Sequence, residues 1–183
     1  MMLHKAICVL MLAVSAAAQA PSPAGRYFTD VVLVDQNGRQ KRLYSDLIRG
    51  RIVVLNAFFA TCTGSCPVMA ANMAKLQTAL GDRVGKDVYL LSFSVDPEHD
   101  TPSILKDYAE RFKAKPGWFF LTGSKENVDI ALLKLGLRTE LRENHVNLFT
   151  IGNEPTGLWK KAMGTAAVQE ILKTVESVIN DSP

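Results

Sequence analysis

Apolar residues along the chain follow two patterns, short continuous runs and longer stripes with helical spacing. Continuous apolar runs at residues 51–59 and 88–95 predict strands that are buried on both faces of a sheet. A helix is predicted over residues 67–80, because Pro67 suits a first helical turn and apolar residues then recur along one stripe. The residues of that stripe are Met69, Met73, Leu76 and Leu80. Strands alternating with helices in this way indicate βαβ units and an α/β sheet with a parallel core.

The same signals predict the remaining elements. An apolar strand at residues 31–34 is followed by Asn37-Gly38, the strongest short signal for a β-hairpin. Thr101 and Ser124 are typical helix N-cap residues. The other predicted elements are helices at residues 101–112, 124–136 and 165–180, and strands at residues 118–121, 146–151 and 157–159.

The first 20 residues have the pattern of a secretory signal. A lysine precedes an apolar run at residues 6–14, and small residues follow up to Ala18-Gln19-Ala20. The run is shorter than the roughly 20 apolar residues that a membrane-spanning helix needs. Cys8 lies inside this run rather than after it, which argues against a lipoprotein. We therefore expect an exported, periplasmic protein with the signal cleaved after Ala20; an uncleaved segment anchoring the chain to the membrane is the alternative.

Length, composition and charge fit a single globular domain over residues 21–183. Domains usually have about 100 to 200 residues, and 48% hydrophobic residues are enough for a core. Residues 21–25, PSPAG, are expected to form a short exposed lead into this domain. The formal net charge is +3, and the lysines and arginines are scattered among acids. A nucleic-acid partner would need a concentrated basic face, so none is expected, and we expect a monomer.

The stretch FFATCTGSCPVM at residues 58–69 is the strongest candidate for chemistry. It lies between the carboxyl end of a buried strand and a helix start, where open α/β sheets place their binding sites. A disulfide between Cys62 and Cys66 would close too small a loop to stabilise the chain much. The helix N-terminus at Cys66 predicts a lowered thiol pKa. Because thiolates both attack disulfides and bind metals, a redox pair and a metal site both remain open.

The spacing of the cysteines and a third ligand bear on this choice. Three residues separate Cys62 from Cys66, one more than in the common redox motif, and two convergent thiolates select soft ions such as Cu(I). His99 lies in a polar loop, where an exposed histidine is the ordinary explanation. His145 directly precedes a predicted strand and is a candidate third ligand, with a solvated loop histidine as the equal alternative. Met69 and Met73 are soft donors, but their spacing favours a place in the core.

Four segments of the chain resemble the Sco/SenC family of thioredoxin-fold copper proteins. These segments are NAFFATCTGSCPVM, LSFSVDPEHDTPSILKDYAERF, GWFFLTG and NHVNLFTIGN. The resemblance implies a thioredoxin-like α/β fold, with a central mixed sheet flanked by helices. It also implies a copper site made by Cys62, Cys66 and His145, with His145 near the place of the thioredoxin cis-proline. Asp96 would have a supporting role and would not be a ligand.

The resemblance also implies a function. Members of this family deliver copper to the dinuclear copper site of cytochrome c oxidase, reduce the cysteines of that site, or do both. We expect a periplasmic metallochaperone that carries Cu(I) or Cu(II). Its partner would be the copper-site subunit of cytochrome c oxidase or another periplasmic cuproprotein.

Two hypotheses of function without copper as cargo remain open. The alternative function is a thiol–disulfide oxidoreductase, in which Cys62 and Cys66 form a catalytic redox pair with a client dithiol or a thiol–disulfide reductant as partner. A peroxidase resembling the peroxiredoxins is less favoured, because Phe59 stands where that family has a loop proline.

Overall fold

The computed structural model describes residues 23–138 and 147–181 of the chain. The strands are β1 (Val32–Asp35), β2 (Gln40–Arg42), β3 (Ile52–Phe58), β4 (Val88–Ser94), β5 (Trp118–Thr122), β6 (Leu148–Asn153) and β7 (Leu158–Met163). The α-helices are α1 (Pro23–Phe28), α2 (Cys66–Leu80), α3 (Pro102–Arg111), α4 (Lys125–Lys134) and α5 (Val168–Ile179). A π-helical turn at Leu43–Ile48 and a 3₁₀ turn at Gly81–Arg83 complete the described elements.

The strands form one mixed sheet with the order β2-β1-β5-β4-β3-β6-β7. Strands β3, β4 and β5 are parallel to one another. The remaining pairs, β1 with β2 and β5, and β6 with β3 and β7, are antiparallel. The predicted α/β fold with a central mixed sheet is therefore confirmed.

Helices cover both faces of the central strands. Every residue of β3 is buried, as the continuous apolar run predicts. Val54 and Phe58 point into a core that β3 shares with α2, α3 and α5. Val53 and Leu55 point into a second core, closed by α1, the π-helical turn and α4. Because side chains alternate along a strand, one strand contributes to both cores.

The predicted hairpin and helix starts are confirmed. Gly38 has φ 74 in the turn between β1 and β2, a conformation in which glycine is unstrained. The Thr101 hydroxyl accepts a hydrogen bond from the Ile104 amide, and the Ser124 hydroxyl accepts one from the Asn127 amide. Two side-chain caps that the sequence predicts are thus formed as expected.

The sequence does not predict the helix that begins in the N-terminal lead. Residues 21–25 are expected to be an exposed lead, and Pro23, Ala24 and Gly25 are exposed or partly exposed, but Pro23–Phe28 forms helix α1. The physical reason is Phe28, which is buried against Tyr44 and Trp159 with ring centroids 6.4 and 5.4 Å away. A six-residue helix is too short to show a periodic apolar pattern.

The last strand is longer than predicted. A brief strand is predicted at residues 157–159, whereas β7 covers Leu158–Met163 and pairs with β6 along its whole length.

Two predictions concern residues that the structure does not describe. The predicted signal at residues 1–20 and the first residue of the predicted strand at 146–151 lie outside the described residues. Within the described part of the chain, no helix has the length and apolar character needed to cross a membrane.

Hydrogen bonds hold the first half of α2 against the last strands of the sheet. The Asn72 side-chain amide donates to the carbonyl oxygens of Gly164 and Ala166, at 2.9 and 3.0 Å. The Ser65 hydroxyl, directly before α2, donates to the side-chain oxygen of Asn147 at 2.5 Å. The start of α2 is therefore fixed to the start of β6 and to the segment that follows β7.

We predict that Asn72→Ala lowers the free energy of unfolding by about 1 to 3 kcal/mol, because it leaves two carbonyl groups without their donor. Urea unfolding monitored by tryptophan fluorescence measures the change. Thr78→Ala is the matched control, since the exposed Thr78 hydroxyl donates to the Ala74 carbonyl of its own helix. The control is expected to stay within about 0.5 kcal/mol of the wild type, and equal losses in both variants would contradict the prediction.

Candidate metal centre

The two cysteines lie at the edge of the sheet where β3 and β4 end together. The parallel register runs from Ile52 opposite Val88 to Phe58 opposite Ser94. The chain therefore leaves both strands at the same level. The cysteine loop follows β3, and the loop containing the sequence SVDPEHDTP follows β4. This is the place where an open α/β sheet forms its binding sites.

The two thiols differ in their access to solvent. Cys66 is the first residue of α2 and is only 1% exposed, whereas Cys62 is partly exposed. No disulfide joins them. Burial and a hydrogen bond with the Cys62 thiol raise the pKa of Cys66 to about 12. The reduced pair thus has an accessible outer sulfur and a protonated inner one.

The sequence-based prediction of a lowered pKa is wrong for Cys66. A helix N-terminus stabilises a nearby anion by about 0.3 to 1 kcal/mol, and this effect competes with the removal of the thiolate from water. Here burial is the larger effect. A bound cation reverses the balance, because a sulfur that coordinates a metal loses its proton. The buried Cys66 therefore suits a metal ligand better than a free thiolate.

Aromatic side chains form the wall beside the inner thiol. Tyr108 packs against Phe58, Phe112 and Phe120, with ring centroids 5.0, 5.0 and 5.8 Å away. Burial raises the pKa of Tyr108, and the nearby Cys66 adds to this shift. The Tyr108 hydroxyl is buried and has no hydrogen-bond partner in the described structure. This wall keeps the inner side of the cysteine pair apolar.

His99 is exposed, as the sequence predicts, and is held by an acid. Its Nδ1 lies 2.7 Å from Oδ1 of Asp96, and its side chain is 69% exposed. Across residues 23–138 and 147–181, no three His, Cys, Asp or Glu side chains approach closely enough to hold a metal ion. Neither His99 nor Asp96 therefore completes a metal cluster with the two thiols in this part of the chain.

Asp100 is a site residue that sequence reasoning missed. Its carboxyl group is 1% exposed and accepts hydrogen bonds from the Ala60 amide and the Ser94 hydroxyl. Burial raises the pKa of this carboxyl, although both hydrogen bonds act in the opposite direction. The only sequence signal is its place in the SVDPEHDTP loop. A loop aspartate is normally exposed, so its burial cannot be inferred from one sequence.

The predicted third ligand, His145, lies outside the described residues. Asn147 is the first described residue after His145, and its side chain accepts a hydrogen bond from Ser65, the neighbour of Cys66. Met69 and Met73 are fully buried in the core, as their helical spacing predicts. The described site thus consists of two sulfur donors, and His145 as a ligand stays a prediction.

The donor chemistry of the described site fits a soft metal ion. The two thiols already share a hydrogen bond at this edge of the sheet, so both sulfurs are close to each other. Sulfur ligands select Cu(I), and an added imidazole makes Cu(II) tenable as well. The same pair can instead form a disulfide and exchange electrons with another dithiol.

Comparison with known proteins finds a family model that matches more than half of the chain. The family model for SCO1/SenC matches residues 16–152. A SCO1 protein homolog of Bacillus subtilis is 36% identical over 93 residues, which are 50% of this chain and 48% of that relative. The aligned segment therefore spans about half the length of that curated relative.

Solved structures agree with this assignment. A SCO1/SenC family lipoprotein from Bacillus anthracis has a TM-score of 0.68 and 28% identity, covering 81% of this chain and 92% of that one. BsSco, a member of the Sco family of cytochrome c oxidase assembly proteins with a disulfide switch, has a TM-score of 0.67 and 27% identity, with coverages of 85% and 94%. Yeast Sco1 with copper bound shares the fold at 22% identity, with a TM-score of 0.67 and coverages of 84% and 92%.

We predict that iodoacetamide labels Cys62 more than about tenfold faster than Cys66 in the folded, reduced protein at pH 8. Cys66 is buried and its pKa is raised to about 12, so its reactive thiolate is scarce. Fragment-ion mass spectrometry separates the two positions, which share one tryptic peptide. In urea both cysteines should react at similar rates, and equal rates in the folded protein would contradict the prediction.

Proposed function

Because the chain belongs to the SCO1/SenC family, we propose that it is an exported copper metallochaperone that binds one copper ion through Cys62, Cys66 and His145. The observation that carries the proposal is the reduced cysteine pair at the carboxyl edge of the sheet, with one buried and one accessible sulfur. Copper is the cargo in this proposal and is handed on to another protein.

The choice of copper rests on the donors and on the family. Hard cations such as Mg²⁺ and Ca²⁺ prefer oxygen ligands, which the two sulfurs do not supply. Cu(I) suits two thiolates, and His145 would add the imidazole nitrogen that makes Cu(II) tenable. Yeast Sco1 holds copper on the same fold. The apolar wall around Tyr108 would shield the inner sulfur from water and from competing ligands.

The difference in exposure gives each cysteine its own role in transfer. Cys62 is the accessible sulfur, so a ligand of the receiving protein would replace it first. Cys66 is the inner ligand and would release copper last. Oxidation of the pair to a disulfide removes both thiolate ligands, so copper could be loaded only in the reduced state.

The receiving protein is proposed to be the copper-site subunit of cytochrome c oxidase or another periplasmic cuproprotein. BsSco, which matches this chain over 85% of its length, belongs to a family of cytochrome c oxidase assembly proteins. Residues 1–20 would direct export and be removed, leaving one domain over residues 21–183. The Bacillus anthracis relative is a lipoprotein, and an N-terminal anchor is the alternative for this chain.

A second candidate function, thiol–disulfide exchange, is favoured by the same difference in exposure. The accessible Cys62 thiolate would attack a client disulfide, forming a mixed disulfide and releasing one client thiolate. Cys66 would then attack the Cys62 sulfur, forming the Cys62–Cys66 disulfide and releasing the second client thiol. An external dithiol reductant would return the pair to its reduced state.

Copper titration of the reduced protein under anaerobic conditions tests the proposed site. We predict one copper per chain, bound at least about tenfold more weakly after Cys62→Ser, Cys66→Ser or His145→Ala, since each change removes one ligand. His99→Ala is the matched control, because His99 is exposed and paired with Asp96. The control should bind copper within about twofold of the wild type.

His145→Ala also separates the two candidate functions. If the protein delivers copper, the variant should lose affinity for copper. It should still reduce a model disulfide peptide, because both cysteines remain. Tight binding that does not depend on His145 would contradict the three-ligand site. Weak binding by the wild type, together with rapid disulfide reduction, would favour the exchange function.

A further inference from the structure

A single buried carboxyl group ties the cysteine loop to the neighbouring strand. The Ala60 amide donates to Oδ1 and Oδ2 of Asp100, at 3.2 and 3.1 Å. The Ser94 hydroxyl, at the end of β4, donates to Oδ2 at 2.6 Å. One side chain thus joins the segment that leaves β3 to the end of β4 and to the SVDPEHDTP loop.

The carboxyl group is itself held in place by its own loop. The Asp96 amide donates to the Ser94 hydroxyl at 3.0 Å, and the Asp100 amide donates to the Asp96 carbonyl at 2.9 Å. Ser94 is 0% exposed and Asp100 is 1% exposed. Because the acceptor is buried and anchored on two sides, it can fix the position of the Ala60 backbone.

Ala60 leads directly into the first cysteine. Only Thr61 separates it from Cys62, and the Cys62 amide donates to the Phe59 carbonyl at 3.1 Å, which closes a tight turn. The hydrogen bond to Asp100 starts from inside this turn. The position of the Cys62 sulfur relative to Cys66 therefore depends on where Asp100 holds residue 60.

A comparison with Asp35, another aspartate whose side chain is almost fully buried, separates this arrangement from ordinary turn stabilisation. Asp35 is also 1% exposed, and its carboxyl accepts the amides of Asn37 and Arg39 at 2.9 and 3.0 Å. Those bonds stay within the hairpin between β1 and β2. The bonds that Asp100 accepts from the Ala60 amide instead join segments 40 residues apart. Burying a carboxyl group costs free energy. The buried carboxyl group of Asp100 accepts a hydrogen bond from Ala60 in the cysteine loop.

We propose that Asp100 is a positioning residue that holds the Cys62 turn so that both sulfurs face one point. The inference rests on the proposed use of the cysteine pair, whether for copper or for disulfide exchange. Residues that orient a metal ligand typically contribute 10- to 100-fold to affinity. They do so by reducing the freedom that the ligand loses on binding.

The test measures the equilibrium between the Cys62–Cys66 disulfide and a glutathione redox buffer, without copper. We expect Asp100→Ala to lower the equilibrium constant for disulfide formation about tenfold, or about 30 mV for a two-electron couple, because the two sulfurs meet less often. Asp100→Asn should stay within about threefold of the wild type, since its amide can accept from Ala60 and donate to Ser94. Asp35→Ala is the matched control and should leave the constant unchanged.

Copper affinity of the same variants is the second readout and should fall in the same order. If the wild type binds copper weakly, the proposed function fails, while the disulfide equilibrium still tests Asp100. An unchanged constant in Asp100→Ala would overturn the inference. The inference would also be overturned if Asp100→Asn lowered the constant as much as Asp100→Ala. The charge of the carboxyl group, and not its hydrogen bonds to the cysteine loop, would then set the constant. If Asp100→Ala does not fold, Ser94→Ala replaces it, with a smaller shift in the same direction expected and no shift contradicting the inference.

Discussion

The in-register parallel pairing of β3 with β4 is the constraint on which the site depends. The two strands end together, at Phe58 and Ser94, so the loops that follow them leave the sheet side by side. This arrangement brings the Asp100 carboxyl within hydrogen-bond distance of the Ala60 amide. A shift of one residue between the strands would separate these groups and exchange the side chains of the two cores. The apolar residues that fill both cores therefore also fix the position of the cysteine pair.

The position of α2 exposes the Cys66 thiol to two opposing effects on its ionisation, and a bound metal would change which of them is larger. The helix N-terminus favours a thiolate, but burial among aromatic and aliphatic side chains disfavours it and raises the pKa of Cys66. In the reduced protein without metal, the effect of burial is the larger one, and the Cys66 thiol keeps its proton. A soft cation stabilises two thiolates while leaving the apolar surroundings intact. Burial of Cys66 is thus compatible with a metal ligand and unfavourable for a permanently ionised nucleophile.

The sequence predicts the elements of the fold better than the environment of individual groups. Continuous apolar runs identify β3 and β4 within one residue, and Thr101 and Ser124 mark helix starts through local hydrogen bonds. Helix α1 is not predicted because aromatic contacts of Phe28 with Tyr44 and Trp159, which are distant in the sequence, stabilise it instead of a repeated apolar pattern. The pKa of Cys66 and the burial of Asp100 also depend on distant packing, which the sequence of a single loop does not encode.

X-ray absorption at the copper edge tests the central claim most directly. The sample is the full chain, reduced and loaded with one equivalent of Cu(I), measured beside His145→Ala. The three-ligand site predicts two sulfur neighbours and one imidazole nitrogen, with the imidazole scattering lost in the variant. An unchanged imidazole contribution in His145→Ala, or more than two sulfur neighbours per copper, would contradict it.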